Sequence, residues 1–294
     1  MVGMDISVGA LLKQAITELK NKDIQNSVID AQWMLCHLLN CDRVYLVTHA
    51  DKKIDTKVVL KYNEMISRRI MGVPVQYIIR KQEFMSLPFY VTKDVLIPRA
   101  DTEILVEYVI DTYKKVADEH SLTAIDIGTG SGCIAVSLAY YLKNITLWSM
   151  DISAGALKIA QKNAHKHNVQ DKIKLVQQDI LQMDMNKMLP NHVDIVVSNP
   201  PYIPTQTIQT LQTEVKTYEP YRALDGGDDG LIFYPVIIKN AAKRLKPAGL
   251  LALEVGYDQS MLVKHIIEQS GAYHDIKVHQ DLAGIGRVVT AKRR

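Results

Sequence analysis

Three textures of apolar and polar positions follow one another along the chain. From residue 5 to about 80 the apolar positions recur at helical spacing. "LLKQAITELK" places Leu12, Ile16 and Leu19 on one face. "SVIDAQWMLCHLL" gathers Val28, Ala31, Leu35, Leu38 and Leu39, with Ser27 as the expected cap. "DTKVVLKYNEMISRRIMG" repeats the pattern and stops at Gly72 and Pro74. No strand pattern precedes residue 83, so this part predicts a small helical domain.

"EFMSLPFYVT", residues 83 to 92, then predicts a short β-hairpin with Pro88 near its turn or edge. An extended piece ends at Pro98, and a helix runs on through Leu105 and Val109 with Asp101 as its expected cap. From residue 122 strands and helices alternate. "LTAIDIGTGSGCIAVSLAYYL" reads as strand, glycine loop and helix, and "ITLWSMDIS", "IKLVQQDI", "VDIVVSNPPY" and "GLLALEVG" are further strands between amphipathic segments. "DIKVHQDLAGIGRVVTAKRR" reads as a closing strand pair. Such alternation predicts an α/β fold with a doubly wound, mostly parallel sheet. The expected organisation is a helical domain over residues 1–80, a linking hairpin over 81–94 and an α/β domain over 95–294.

Composition narrows the picture modestly. No apolar run reaches the roughly 20 residues of a membrane helix, and "MVGMDISVGALLKQ" lacks a secretory pattern. Three cysteines, Cys36, Cys41 and Cys133, suit a reducing compartment better than a disulfide framework, and two of them alone make a poor zinc site. A cytoplasmic protein without metal is expected. Residues 1–80 carry 11 Lys/Arg against 8 Asp/Glu, so the whole net charge of +3 lies there. That excess is either a solvated surface or weak steering toward an anionic partner such as an RNA-containing assembly.

The candidate chemistry sits at strand ends. "DIGTGSG" puts Gly128, Thr129, Gly130, Ser131 and Gly132 between a strand and a helix, where backbone amides can approach a ligand. Asp151 ends the next strand, 19 residues after Gly132, where a carboxylate can accept both ribose hydroxyls of an adenosine. The spacing is not the dinucleotide fingerprint, so a phosphate-free adenosine ligand, S-adenosylmethionine, fits better. Asp179 and Ile180, expected to end the third strand, would flank its adenine.

Asn199-Pro200-Pro201-Tyr202 follows the fourth strand, where reactive groups collect in such sheets. An amide nitrogen is a poor nucleophile because its lone pair is delocalised. The Asn199 side-chain oxygen and the Pro200 carbonyl can each accept one of its N–H groups and favour charge developing on nitrogen. The prolines hold those acceptors in advance, and Tyr202 can stack on a planar group.

These motifs resemble those of class I methyltransferases acting on exocyclic or amide nitrogens. "DAQWMLCHLL", "PVQYI", "EFMSLPFYV", "LIPRADTE", "NPPYIP", "YEPYRAL" and "GDDGLIFY" are similar to stretches of the PrmC (HemK) family over nearly the whole chain. The resemblance implies a Rossmann-like class I methyltransferase fold with a small N-terminal helical, substrate-docking domain. It implies methylation of the glutamine in the Gly-Gly-Gln motif of peptide-chain release factors, with S-adenosylmethionine as donor and S-adenosylhomocysteine as product. Gly128 to Gly132, Asp151 and Ile180 would hold the cofactor, and Asn199 to Tyr202 the glutamine, with Asn199 near the cofactor too. Phe84 and Arg99 are weaker candidates for shaping the glutamine pocket. Ala100 stands where the family usually has a second proline, which relaxes one loop residue.

The rival reading is a DNA or RNA exocyclic-amine methyltransferase, which usually carries a large basic recognition surface. The charge-neutral part beyond residue 80 favours a protein substrate, with no direct nucleic-acid substrate. A monomer is expected, because no long apolar stripe is evident.

Overall fold

The computed structural model describes residues 6–182 and 189–294 and divides into two compact units. The first is the chain through Lys81 together with Gln212–Tyr218; the second holds Gln82–Leu211 and Glu219–Arg294.

The first unit is helical: α1 (Val8–Lys20), α2 (Ser27–Leu39), α3 (Arg43–Thr48), α4 (Thr56–Ile70) and α5 (Val75–Ile79), with the distant segment Thr213–Tyr218 added to them. Its core gathers Leu11, Leu19, Met34, Leu35, Tyr62 and Ile66. Two expectations shift by part of a turn. In α1 the buried line is Val8, Leu11, Ala15 and Leu19, with Leu12 and Ile16 half-buried beside it. In α2 Ser27 is not the cap: Asn26 takes that position, Ser27 is buried, and Val28 faces solvent. In α2 the buried face also carries Asp30, whose carboxylate accepts from Arg69 Nε at 2.6 Å, and Arg69 also pairs with Glu214. The ion pair satisfies the buried charge and lets an acid occupy a core position.

The second unit opens with the hairpin β1 (Gln82–Phe84) and β2 (Leu87–Phe89). Met85 and Ser86 carry φ of 50° and 58°, two left-handed residues as a tight two-residue turn requires. Pro88 lies in β2 opposite Glu83, in a two-stranded ribbon where a missing N–H is tolerated. Then come α6 (Asp101–Glu119), β3 (Leu122–Ile127), α7 (Cys133–Tyr141), β4 (Ile145–Asp151), α8 (Ala154–Lys166), β5 (Ile173–Gln177) and β6 (Val193–Ser198). After α9 (Thr213–Tyr218) in the first unit, the chain continues as α10 (Phe233–Arg244), β7 (Leu245–Glu254), α11 (Ser260–Gln269), β8 (Tyr273–Gln280) and β9 (Gly286–Arg293).

Among the described residues seven strands form one sheet in the order β5-β4-β3-β6-β7-β9-β8. All neighbours are parallel except those of β9, which is antiparallel to both β7 and β8. Period-2 alternation sends Ala124, Ile195 and Val197 to one core with Leu105, Val109 and Leu138. It sends Ile125, Ile127 and Val196 to the other with Tyr234, Ile237 and Val263. The chain leaves β3 for β4 on one side and returns to β6 on the other, so a crevice opens at the carboxyl ends of β3, β4 and β6.

Two local expectations change here. Asp101 is the first residue of α6 rather than its cap, which is Ala100, and it pairs with Arg287 at 3.1 Å. β5 stops at Gln177, so Asp179 and Ile180 lie in the loop after it, where Asp179 Oδ1 accepts the Leu181 N–H at 2.8 Å.

Candidate active site

A cavity of about 880 Å³ occupies that crevice. One wall is the glycine loop after β3. Gly128, Gly130 and Gly132 have φ of +76°, +53° and +79°, a region that favours glycine. At Gly132 a Cβ would also stand 3.0 Å from Ala160 Cβ, so only a glycine lets α7 start against α8. The Gly128 and Thr129 amides donate to Met150 O at 2.9 and 3.0 Å, fastening the loop to β4.

Asp151 closes the far end of this wall. Its Oδ2 accepts the Gly130 N–H and its Oδ1 the Ser153 N–H, each at 2.8 Å. Burial raises its pKa, and the amide hydrogen bonds oppose that rise. A carboxylate has about four acceptor sites, so capacity remains toward the cavity it lines. Thr129 and Ser131 also line the cavity, and their hydroxyls are buried without a hydrogen-bond partner among the described residues. Behind the loop Asp126 is fully buried, and burial pushes its carboxyl up to about 7.

The opposite wall is the loop after β6. Ser198 Oγ donates to Ile127 O at 2.7 Å and ties the end of β6 to β3. Asn199, Pro200 and Pro201 line the cavity. The Asn199 Nδ2 donates to Thr102 Oγ1 at 3.1 Å, leaving Oδ1 as the end of the amide that faces away from Thr102. Tyr202 is placed differently: it is half-buried and outside the cavity lining, with its hydroxyl 3.4 Å from Glu254 Oε1. Its carbonyl accepts from Gln259 Nε2 at 2.9 Å. Gly230 packs so closely that a Cβ there would lie 2.3 Å from the Tyr202 oxygen. Gly230 of "GDDGLIFY" therefore lets one loop press on another.

Of the residues singled out by sequence, the structure brings Gly128, Thr129, Gly130, Ser131, Asp151, Asp179, Ile180, Asn199, Pro200 and Pro201 around one cavity. Gly132 and Tyr202 support it from behind. Arg99 lines the cavity, whereas Phe84 is a core residue packed edge-on to Phe89. Sequence reasoning missed Thr102, which α6 delivers to Asn199 with its first turn. It also missed Glu219, a buried acid that pairs with Arg99 and accepts the Ile97 N–H at 3.2 Å. Both lie in stretches whose resemblance was noted, "LIPRADTE" and "YEPYRAL", so the signal was present without a role attached. Among the described residues no cluster of His, Cys, Asp or Glu has metal-holding geometry, and no helix is long and apolar enough to cross a membrane.

The sheet order and the cavity at its carboxyl edge define a class I methyltransferase. The model of a methyltransferase domain matches residues 118–290, and that of the PrmC N-terminal domain matches residues 10–79. A catalytic domain of human Mettl16, solved with an RNA hairpin, has a similar fold at TM-score 0.54 and 19% identity, over 78% of this chain and 81% of that one. The release factor glutamine methyltransferase of Clostridium botulinum is 39% identical over 96% of this chain and 98% of its own. That of Clostridium acetobutylicum is 40% identical over 97% of each. The chain belongs to the release factor glutamine methyltransferase family.

Proposed function

We propose that the chain methylates the side-chain nitrogen of the glutamine in the Gly-Gly-Gln motif of peptide-chain release factors, with S-adenosylmethionine as donor. The observation that carries this reading is the Asn199 carboxamide, held by its nitrogen with its oxygen left for a substrate, on the wall of a cavity with an adenosine-type site opposite.

The donor set suits S-adenosylmethionine. Asp151 would take the ribose hydroxyls, the Gly128–Gly132 loop would cradle the ligand, and Asp179 and Ile180 would flank the adenine. The two orphaned hydroxyls of Thr129 and Ser131 offer polar contacts in the same wall. When bound, this donor supplies a methyl group on a sulfonium sulfur and leaves as S-adenosylhomocysteine.

The chain's own residues aim the nucleophile. Asn199 Oδ1 and the Pro200 carbonyl each accept one N–H of the glutamine amide, turning its nitrogen toward the methyl. A donor held there would supply the methyl group to that nitrogen, which, once methylated, releases one proton to water. Acceptors already in place favour the positive charge building on nitrogen without reorganisation. Pro200 and Pro201 keep the loop rigid, and Tyr202 backs it.

The helical unit is the docking module for the protein substrate, since the net positive charge lies there and every cofactor residue lies beyond residue 120. A cytoplasmic setting, where release factors act, follows from this reading. Methyl transfer to three substrates tests it: release factor, release factor with the glutamine replaced, and bare nucleic acid. Transfer is expected to the first alone. Labelling of the second or third as efficient as that of the first overturns the assignment.

A further inference from the structure

The stretch between the hairpin and α6 has no regular structure, yet its backbone is closely held. Residues 90–99 form neither helix nor strand, while Asp94, Val95, Leu96, Pro98 and Arg99 line the same cavity as the glycine loop and Asp151. Val95, Ile97 and Pro98 are buried, which keeps the stretch on the domain without fixing where its backbone runs. Two buried polar side chains fix it.

At its far end Glu219 Oε2 accepts the Ile97 N–H at 3.2 Å, and Oε1 pairs with Arg99. At its near end the partner is Asn163 of α8, which is fully buried. Asn163 Oδ1 accepts the Tyr90 N–H at 2.7 Å, and Nδ2 donates to Tyr90 O at 2.9 Å. The other Nδ2 proton goes to Ser131 O in the glycine loop, at 2.8 Å. A carboxamide nitrogen has two donors, and here each serves a main-chain carbonyl in a different segment around one cavity. The Ser131–Gly132 peptide is held on its other side as well, the Gly132 N–H donating to Thr129 O at 2.8 Å. That peptide cannot turn over without breaking two hydrogen bonds, so the Ser131 carbonyl stays directed at α8. Unpairing buried main-chain groups is costly, and displacing either segment leaves Asn163 misaligned for the other.

We propose that residues 90–99 form a further wall of the S-adenosylmethionine site, and that Asn163 is the positioning residue through which this wall and the glycine loop order together when the cofactor binds. The inference rests on the S-adenosylmethionine reading above. It extends the cofactor site beyond the glycine loop, Asp151 and the loop after β5, into a stretch whose sequence reads only as an extended connection to α6.

Amide hydrogen exchange of the full chain, resolved residue by residue, tests it, with S-adenosylmethionine affinity measured by calorimetry. The Tyr90, Ile97 and Gly132 N–H groups are the reporters, since each has a defined partner. Openings that abolish binding are suppressed by up to about a hundredfold when the cofactor stands at about 100 times its dissociation constant. All three amides are therefore expected to slow together on adding S-adenosylmethionine. The Asp281 N–H, bonded to Ile285 O in the β8–β9 turn and outside the cavity lining, should not change. Asn163→Asp keeps an acceptor for Tyr90 and removes the two donors. In a folded variant, checked by thermal melt, affinity should fall roughly tenfold, the scale of a lost buried hydrogen bond. Slowing at Tyr90 and Ile97 should then separate from slowing at Gly132. If Gly132 alone slows in the parent, the proposal is overturned and the cofactor reading stands. A variant that melts lower but binds S-adenosylmethionine within about twofold of the parent also overturns it, because a purely structural asparagine behaves that way. Where the variant does not fold, the parent's exchange decides. Failure of the parent to bind S-adenosylmethionine overturns the cofactor reading, and this wall with it.

Discussion

The amide of Gly130 donates to Asp151 Oδ2 at 2.8 Å, so the loop after β3 and the end of β4 are fastened by the carboxylate proposed to hold the ribose. One residue thereby shapes the glycine loop and presents the remaining acceptor sites to the cavity. Asp151→Ala removes both functions. Loss of a charged acceptor, about 1.5–3 kcal/mol, corresponds to roughly tenfold to a hundredfold weaker S-adenosylmethionine binding. Asp151→Asn is expected to be little better, because its NH2 end meets one of the two amide donors. Calorimetric titration checks this; an unchanged dissociation constant for Asp151→Ala removes the ribose assignment.

Asn199→Ala takes away one acceptor and leaves the Pro200 carbonyl. Turnover is expected to fall by about 100- to 1,000-fold, the usual cost of one positioned transition-state hydrogen bond. Cofactor affinity should fall much less, since the glycine loop and Asp151 hold that ligand. Single-turnover methyl transfer to release factor, with binding measured separately, distinguishes the two effects. Near-normal turnover would reduce the prolines to a turn.

Asp126 gives a pH signature with a definite sign. Its carboxyl is raised by burial to about 7 in the folded chain, against about 3.9 when exposed. Between those values the folded state holds a proton that the unfolded state has released, so this group's contribution to stability declines as pH rises from about 4 to about 7 and then levels off. Asp126→Asn does not titrate. Its melting temperature relative to the parent should rise across that window, by roughly 2–4 °C per kcal/mol recovered. Thermal melts of ligand-free protein at several pH values decide the point. A difference that stays flat with pH refutes it.

Arg69 is 3% exposed and joins Asp30 to Glu214 within the helical unit. Arg69→Met strands the Asp30 carboxylate in the core and should cost about 3–5 kcal/mol. Asp30→Leu/Arg69→Met, which removes the buried pair together, should recover most of that loss. Denaturant melts of the two variants make the comparison. A double variant as unstable as the single one would mean that the arginine matters through its packing rather than through the buried acid.

Sequence alone carried the alternation of strands and helices, because periods of 2 and 3.6 are written directly into apolar spacing. It also carried the glycine loop, Asp151 and Asn-Pro-Pro-Tyr, because their chemistry is local: glycines permit left-handed backbone, and strand ends in such sheets face the crevice. Finer positions escaped it. The buried face of α2 holds Asp30 against Arg69, a partner 39 residues away. The helical unit recruited Gln212–Tyr218 from deep in the second half of the chain, where no local pattern marks it. Thr102, Glu219 and Glu254 read in sequence as an ordinary helix start, a loop acid and a strand end. Only the fold places Thr102 against Asn199, Glu219 against Arg99, and Glu254 in the buried end of β7. A polar side chain's role is set by what meets it across space, and hydrogen bonds between residues tens of positions apart or more leave no period in the sequence.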